Sequence, residues 1–530
     1  MTESPQIRAS ISGLPEWAFD QRWHLATLVF LLASTLYRMT QLGAIQLAPD
    51  EAYYWDWSRR LALGYYDQGP FIAYLIRVTT AIFGTNEFGV RFGVLASCFG
   101  TLCCTYVLAK RLFAPMTGFL AVLLLGLSPL MEVGSIVATY DPPLVFFWAL
   151  AVVWLERALF ADKTPERNRA WVFAGLATGL GFLSKHTMLF LCPCLVLFLL
   201  ISPTHRHWLK RPQPYLAFML ALLLYSGVFY WNSQHHWWTF GHLLFLTKKV
   251  SGTPIKRLGD LLGSQLALLG PGLFLATMIA GFKGMMLGQE TAGAQRSRFL
   301  ACMGLPVMAL FCLLSLKSKV QANWPACAWM SLTILWTGWV TVLAGRSRAS
   351  ARTAAILVSI VALLSLIPTV VIISPEARMA LGIRLQPDQD TSNTTFGWRE
   401  LAARVEVLRE KQKAEGRPYF IAGNGYQNVA LLGFYLKDHP ETYDLFMHNR
   451  LDMYAVYVER LKSHLGEDAI FVDDNDARDA DLRLLFEEVV PEPDLVVWRR
   501  PLYNVPIKTL HIVRCRKFRK YVGLEWAEGG

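Results

Sequence analysis

Two adjacent carboxylates, Asp50 and Glu51, follow Pro49 and precede the aromatic run Tyr53, Tyr54 and Trp55. Acidic groups beside an apolar segment are costly unless they are solvated, paired or used in chemistry. An Asp here could also cap the helix EAYYWDWSRR by accepting from its free backbone amides. A third acid, Asp141 in ATYDPPLVFF, stands where Pro142 and Pro143 fit the start of a helix. Asp67 lies between these acids, and the basic groups that could answer them are Lys185 beside His186, and Lys317 with Lys319. A carboxylate can take a proton from an attacking hydroxyl while Lys or Arg stabilises charge on a departing phosphate, so this set suits group transfer from a phosphate-linked donor. Asp50, Glu51 and Asp141 are the candidate catalytic groups. No nucleophilic Ser or Cys is needed, and HExxH, a complete phosphate-loop lysine motif and a GxSxG elbow are all absent.

His235, His236 and His242 form the one histidine cluster to weigh as a metal site, but they sit among tryptophans with no clear carboxylate ligand. No metal ligand is assigned and no cofactor is required, although the acidic loop leaves a place for a divalent cation. The nine cysteines show no CxxC spacing, and eight of them fall in apolar runs where a thiol packs as a small hydrophobe.

These groups must be positioned by elements immersed in lipid. In 530 residues the hydrophobic fraction is 54% and the charged fraction only 17%, too oily for a string of soluble domains and far from disorder. The fold class expected is a polytopic α-helical membrane protein with about eleven transmembrane helices and a C-terminal soluble α/β domain. The spans are expected near 23–44, 88–109, 113–131, 142–160, 170–184, 187–202, 214–231, 260–282, 299–316, 322–344 and 353–374. No small-residue cleavage site follows the first apolar core, so that segment is expected to stay as an anchor.

With the N-terminus cytoplasmic, every inner loop is basic, from Lys110 and Arg111 to Arg346, Arg348 and Arg352, as the positive-inside rule requires. The net charge of +11 is explained this way and not by nucleic acid. An odd number of crossings then puts the C-terminal portion outside, in the periplasm of a bacterial cell. Asp50, Glu51, Asp67, Asp141, Lys185, Lys317 and Lys319 all fall on that outer face. The outer loops 45–87 and 232–258 are aromatic and are expected to hold short helices along the membrane interface.

The transmembrane domain is expected over 1–374 and a soluble periplasmic domain over 375–530. In the latter, 398–414 has the amphipathic pattern of a helix, with Leu401, Val405 and Leu408 on one stripe. Strands are expected at 419–422, 469–472 and 510–513, with a helix over 428–436. Gly423-Asn424-Gly425 marks a turn and does not complete GxGxxG.

PDEAYYWDWSRRLALGYYDQGPFIAYLIR, ATYDPPLVFFWAL, GLGFLSKHTMLFL and SLKSKVQANWPACAW together resemble the membrane glycosyltransferases of the C superfamily. The likeness is to the aminoarabinose transferases of lipid A and, more distantly, to the protein O-mannosyltransferases. It covers nearly all the membrane region and extends into the tail through GWRELAARVEVLRE and GFYLKDHPETYDL. It implies inverting transfer of a sugar from a polyprenyl-phosphate donor to an envelope acceptor, whether lipid A or its core, a glycan, a glycolipid or a protein, at the outer face of a bacterial inner membrane. In this resemblance Asp50 is the base or acceptor positioner, Asp141 organises the pocket, and Tyr54 and Tyr66 lie near the donor. Lys185 and Lys317 or Lys319 are the candidate phosphate contacts. One departure concerns Asp67-Gln68, near which the aminoarabinose transferases have an acid followed by lysine. Gln68 can hydrogen-bond but cannot neutralise a phosphate, which leaves Arg59, Arg60 or the later lysines to supply charge.

Two other classes compete. A lipid transporter or flippase should bury charges near the bilayer midplane and often repeats its spans, whereas here the acids fall at span ends and no internal repeat is seen. A retired scaffold would use the tail as its active module, with no need for Asp50, Asp141 and the lysines.

Overall fold

The structure is a computed structural model that describes residues 16–248, 252–286, 291–445, 447, 451–474, 479–500 and 502–520. The chain divides into two compact units. One holds Met1–Gln41, Gln68–Ile72 and Arg91–Ser374, and the other Leu42–Asp67, Ala73–Val90 and Pro375–Gly530. Most of the loop 45–87 is grouped with the C-terminal residues.

The first unit is helical because long apolar runs satisfy their backbone groups internally. Proline in the first turn starts many of these helices, among them Pro115–Gly126, Pro129–Ile136, Asp141–Phe160, Thr164–Ser184, Pro212–Gln234, Pro254–Leu269 and Leu305–Ser315. At that position proline loses no hydrogen bond and its fixed φ suits the helix. Every expected segment contains helix. Among the described residues six helices are long and apolar enough to cross a membrane, or up to eight if each bent pair is one span.

The bends have local causes. Pro115–Gly126 and Pro129–Ile136 meet at 66°. Ser128 starts the second of them, its Oγ accepting from the Met131 amide at 3.4 Å. Across this break Arg38 donates to Glu132 at 2.8 Å and to the Gly126 carbonyl at 2.6 Å. The expected span 260–282 is two helices, Pro254–Leu269 and Pro271–Met286, bent by 109°. The hinge is Gly270, whose φ of +79° suits glycine and whose added Cβ would lie 2.5 Å from the Leu364 carbonyl oxygen. The last span, Arg348–Ile373, carries Ile356, Ile360, Leu363 and Ile367 exposed, as a lipid-facing helix should.

In the second unit the helix Trp398–Ala414 buries Leu401, Val405 and Leu408 as their spacing predicts. The sheet runs β2-β1-β3-β6-β4, built from β1 (Tyr419–Gly423), β2 (Thr442–Asp444), β3 (Asp468–Asp473), β4 (Phe486–Pro491) and β6 (Lys508–Phe518). A short β5 (Leu495–Val497) pairs with β6 off this path. β1 is parallel to β2 and β3, while β6 is antiparallel to β3 and β4.

The same unit holds the helix Pro49–Arg59 of the loop 45–87. Residues 51–58 are buried. Trp57 stacks on Tyr65 with centroids 4.5 Å apart, and Trp55 meets Phe434 edge-on at 5.0 Å. The aromatic run that reads as an interfacial belt is a protein core.

One buried carboxylate ties this unit together. Asp390 accepts from Arg378 at 2.5 Å, from the Ser392 hydroxyl at 2.6 Å and from the Tyr503 hydroxyl at 2.7 Å. Burial pushes its carboxyl up, but the hydrogen bonds from Ser392 and Tyr503 and the Arg378 charge outweigh that and hold it below the usual carboxylate range. Its stabilisation is present above about pH 3.9 and is lost as the pH falls through the lower folded value. Asp390→Asn is expected to destabilise the second unit by about 3 kcal/mol and to abolish that part of its acid sensitivity. Denaturant unfolding at neutral and acidic pH measures both effects.

Candidate functional site

In the membrane unit, the helices Asp141–Phe160 and Thr164–Ser184 are joined by residues 161–163 and so run antiparallel. They are 20 and 21 residues long, which brings the first residue of one level with the residue just beyond the other. Lys185 Nζ accordingly meets Asp141 Oδ1 at 2.6 Å. Asn323, just before a short turn of helix at Trp324–Cys327, donates to the other oxygen, Oδ2, at 2.6 Å. Lys185 is 4% exposed and its ammonium also lies 4.8 Å from the centre of the Tyr140 ring. With both carboxylate oxygens engaged, Asp141 is the counter-ion of a buried lysine.

Gln68 is also in this unit. It is buried, and its Oε1 lies 3.1 Å from His186 Nδ1, while His186 Nε2 lies 2.6 Å from the Tyr225 hydroxyl. Sequence reasoning passed over Asn323 and Tyr225. Asn323 stands in the QANWPACAW stretch that carried the resemblance, but nothing in its spacing from Asp141 shows that the two meet. Lys317 and Lys319 are exposed in the loop after the helix Leu305–Ser315.

The remaining candidates lie in the second unit. Asp50 is exposed and accepts from the Tyr426 hydroxyl at 2.8 Å. Glu51 points elsewhere, because neighbours on a helix diverge by about 100°. It is fully buried, and its Oε2 accepts from the Ala48 amide at 2.8 Å, so it secures the start of the helix. Asp67 accepts from the Tyr53 hydroxyl at 2.7 Å, and that hydroxyl in turn accepts from the Met453 amide at 2.6 Å. Burial, then the charges of Asp67 and Asp452, push the Tyr53 hydroxyl far above its usual range, so it stays protonated as a donor. Tyr54 is buried against the rings of Tyr53 and Trp57, at 5.9 and 5.0 Å, and Tyr66 is buried.

Arg59 is engaged within its own unit. Its guanidinium donates to the His439 carbonyl at 2.7 Å, the Pro440 carbonyl at 3.2 Å and Asp56 at 3.1 Å. Arg60 is likewise engaged by Asp56 at 3.3 Å and Glu441 at 2.9 Å. Both arginines secure the helix Pro49–Arg59 within its own unit. The Nδ1 of His235 lies 2.8 Å from the Trp231 carbonyl, and among the described residues no three His, Cys, Asp or Glu side chains are grouped to hold a metal ion.

A helical membrane unit with a buried acid–lysine centre and a small α/β unit define a class, and in sequence and fold this chain is similar to the membrane glycosyltransferases of the C superfamily. Residues 67–231 match the family described as dolichyl-phosphate-mannose-protein mannosyltransferase. More particularly, the chain is 30% identical over 317 residues to the lipid A galacturonosyltransferase RgtD of Rhizobium johnstonii, covering 58% of this chain and 64% of that one. It is 33% identical over 190 residues to an undecaprenyl phosphate-alpha-4-amino-4-deoxy-L-arabinose arabinosyl transferase of Pseudomonas aeruginosa, covering 33% of this chain and 34% of the relative. The match thus spans less than two thirds of the length of either relative. In fold, it superposes on ArnT from Cupriavidus metallidurans bound to undecaprenyl phosphate with a TM-score of 0.62 at 17% identity, over 92% of this chain and 97% of that one. The oligosaccharyltransferase AglB of Archaeoglobus fulgidus, in complex with an inhibitory peptide and a dolichol-phosphate, gives 0.53 at 12% identity, over 86% and 70%.

If Asp141 and Lys185 stabilise each other, removing either leaves a buried charge or dipole unmatched. Asp141→Asn and Lys185→Met are each expected to lower stability by about 3 kcal/mol, and the double variant by clearly less than the sum. Thermal unfolding of the four proteins in detergent measures the coupling.

Proposed function

We propose that the protein is an integral membrane glycosyltransferase that moves a sugar from a polyprenyl-phosphate donor to an envelope acceptor of the lipid A class, with inversion, at the outer face of a bacterial inner membrane. The observation that carries this reading is the buried Lys185, paired with Asp141, whose other oxygen accepts from Asn323, in a chain that shares the fold of a structure bound to undecaprenyl phosphate. The named sequence relatives act on lipid A or use an undecaprenyl-phosphate sugar, which supports both the donor and the acceptor class.

In this reaction the acceptor oxygen attacks the anomeric carbon, forming a new C–O bond as the bond to the phosphate oxygen breaks, and the polyprenyl phosphate leaves. Asp50 takes the hydroxyl proton, with Tyr426 orienting its carboxylate. Lys185 stabilises the departing phosphate, and exposed Lys317 or Lys319 adds further positive charge. Asp67 orders Tyr53, and Tyr54 and Tyr66 shape the aromatic surroundings of the acidic loop. No cofactor enters these steps; if a divalent cation joins the acidic loop, EDTA will lower the rate. The basic inner loops orient the chain with its N-terminus cytoplasmic and residues 375–530 periplasmic.

Asp50→Asn is expected to lower transfer from radiolabelled undecaprenyl-phosphate sugars to lipid A by 10²–10⁴-fold, about the size of a lost general base, with expression and membrane insertion unchanged. Full activity in that variant would remove Asp50 as base. Movement of the labelled donor across liposomes by the wild type, with no sugar transferred, would replace the enzyme with a transporter.

A further inference from the structure

The outward side of the β5 arm has no part in the steps above. Side chains alternate across a strand, and the chain keeps that alternation from Val496 to Arg500. Val497 and Arg499 are turned inward. Val497 is 8% exposed and packs so closely on Gly397 that a Cβ there would lie 2.6 Å from its Cγ2. Arg499 donates to the Ser392 hydroxyl at 2.7 Å and to Asn393 Oδ1 at 2.8 Å, and lies over the Phe396 ring at 4.2 Å. Val496 and Trp498 are left outward, 43% and 44% exposed, with the Arg500 guanidinium over the Trp498 ring at 4.6 Å. An aliphatic group, an indole and an arginine on one open face suit the boundary between lipid and water, where the ring sits at headgroup level and the cation meets phosphate.

A second open apolar stretch is tied to the first through Asp390. That carboxylate accepts from Arg378 at 2.5 Å and lies 3.7 Å from the Arg499 guanidinium. Arg378 thus fixes the start of the stretch that carries Leu381, 61% exposed, Ile383, 43% exposed, and exposed Arg384. Chain connectivity says what such a patch meets. The helix Arg348–Ile373 is long and apolar enough to cross a membrane, and Leu381 follows its last residue by eight positions. Eight residues reach at most roughly 28 Å when fully extended. The helix Pro375–Ala380 takes up most of them and shortens that reach. The patch therefore stands close to the lipid that the preceding helix enters.

We propose that the outward face of the β5 arm, together with Leu381 and Ile383, docks on the lipid surface at the end of the helix Arg348–Ile373. Val496 and Trp498 enter the interfacial layer, and Arg500 and Arg384 meet anionic headgroups. Because Arg378 and Arg499 converge on Asp390, the two stretches dock as one piece. The inference needs neither the donor nor the transfer reaction. It gives the second unit, which carries Asp50, a lipid contact of its own.

The test uses the full-length protein labelled with fluorotryptophan, in nanodiscs of phosphatidylcholine and phosphatidylglycerol. The fluorine resonance missing from Trp498→Phe is that of Trp498. Loss of this resonance when the nanodiscs contain a lipid with a nitroxide high on its acyl chain is the expected result. A resonance that the nitroxide lipid leaves intact would overturn the docking. A water-soluble gadolinium chelate then sorts that failure, erasing the resonance of a face in water and sparing one covered by a protein partner or a second copy. In nanodiscs of phosphatidylcholine alone, part of the intensity is expected to return. Equal loss without phosphatidylglycerol would overturn the assignment of Arg500 and Arg384 to anionic headgroups.

Discussion

An ammonium group in a membrane protein interior is tolerated only with a counter-charge and full hydrogen bonding, and that constraint organises the membrane unit around Lys185. Its partner Asp141 is distant in sequence, and Asn323 more distant still, yet both contacts close at 2.6 Å. Two helices of nearly equal length joined by a three-residue link bring the first pair together. A third helix, Pro212–Gln234, packs close to this hairpin because Gly175 and Gly179 leave room: an added Cβ would lie 2.6 Å from the Ala217 carbonyl oxygen and from Leu224 Cδ1 respectively. That approach is what allows Tyr225 to reach His186. Small residues and proline helix starts thus act on the site through geometry alone.

The second unit solves a different problem with the same economy of means. Its helix Pro49–Arg59 begins with two acids, and helical geometry sends them to different environments. Glu51 is buried and secures the helix start, while Asp50 stays exposed under the direction of Tyr426. Arg59 and Arg60 close the other end by binding backbone carbonyls and carboxylates of the segment 439–441 and of Asp56. Of the two neighbouring acids, Asp50 is the exposed one.

What could be read from residues alone follows from the range of the interactions involved. The helix Trp398–Ala414 and the strands β1, β3 and β6 carry periodic apolar patterns and were legible to within a few residues. β2 is three residues long and β4 contains exposed Glu487 and Glu488, so neither shows an apolar period. Asp141 and Lys185 were each visible as charges at the ends of apolar runs. Their direct pairing was not, nor was the third member Asn323, because polar contacts between distant segments leave no local trace. The aromatic run 53–57 misled for a related reason: Trp and Tyr suit a membrane interface and a buried core equally well, and only the partners Tyr65 and Phe434 decide between them. The bend at Gly270 was hidden because hydropathy is blind to direction.

The electrostatics of the Lys185 centre also limit how an anion can be held there. Paired with Asp141, the lysine brings no net charge, so a phosphate that approaches it in the proposed reaction adds uncompensated negative charge to a low-dielectric setting. Another buried cation would relieve this only by raising the desolvation cost of the empty site. Neutral donors avoid that cost, because an oriented amide presents partial positive charge without a net one. Asn323 is already engaged with Asp141, and the Gln68 amide oxygen lies against His186. Full charges are cheaper where water screens them, and Lys317 and Lys319 are exposed.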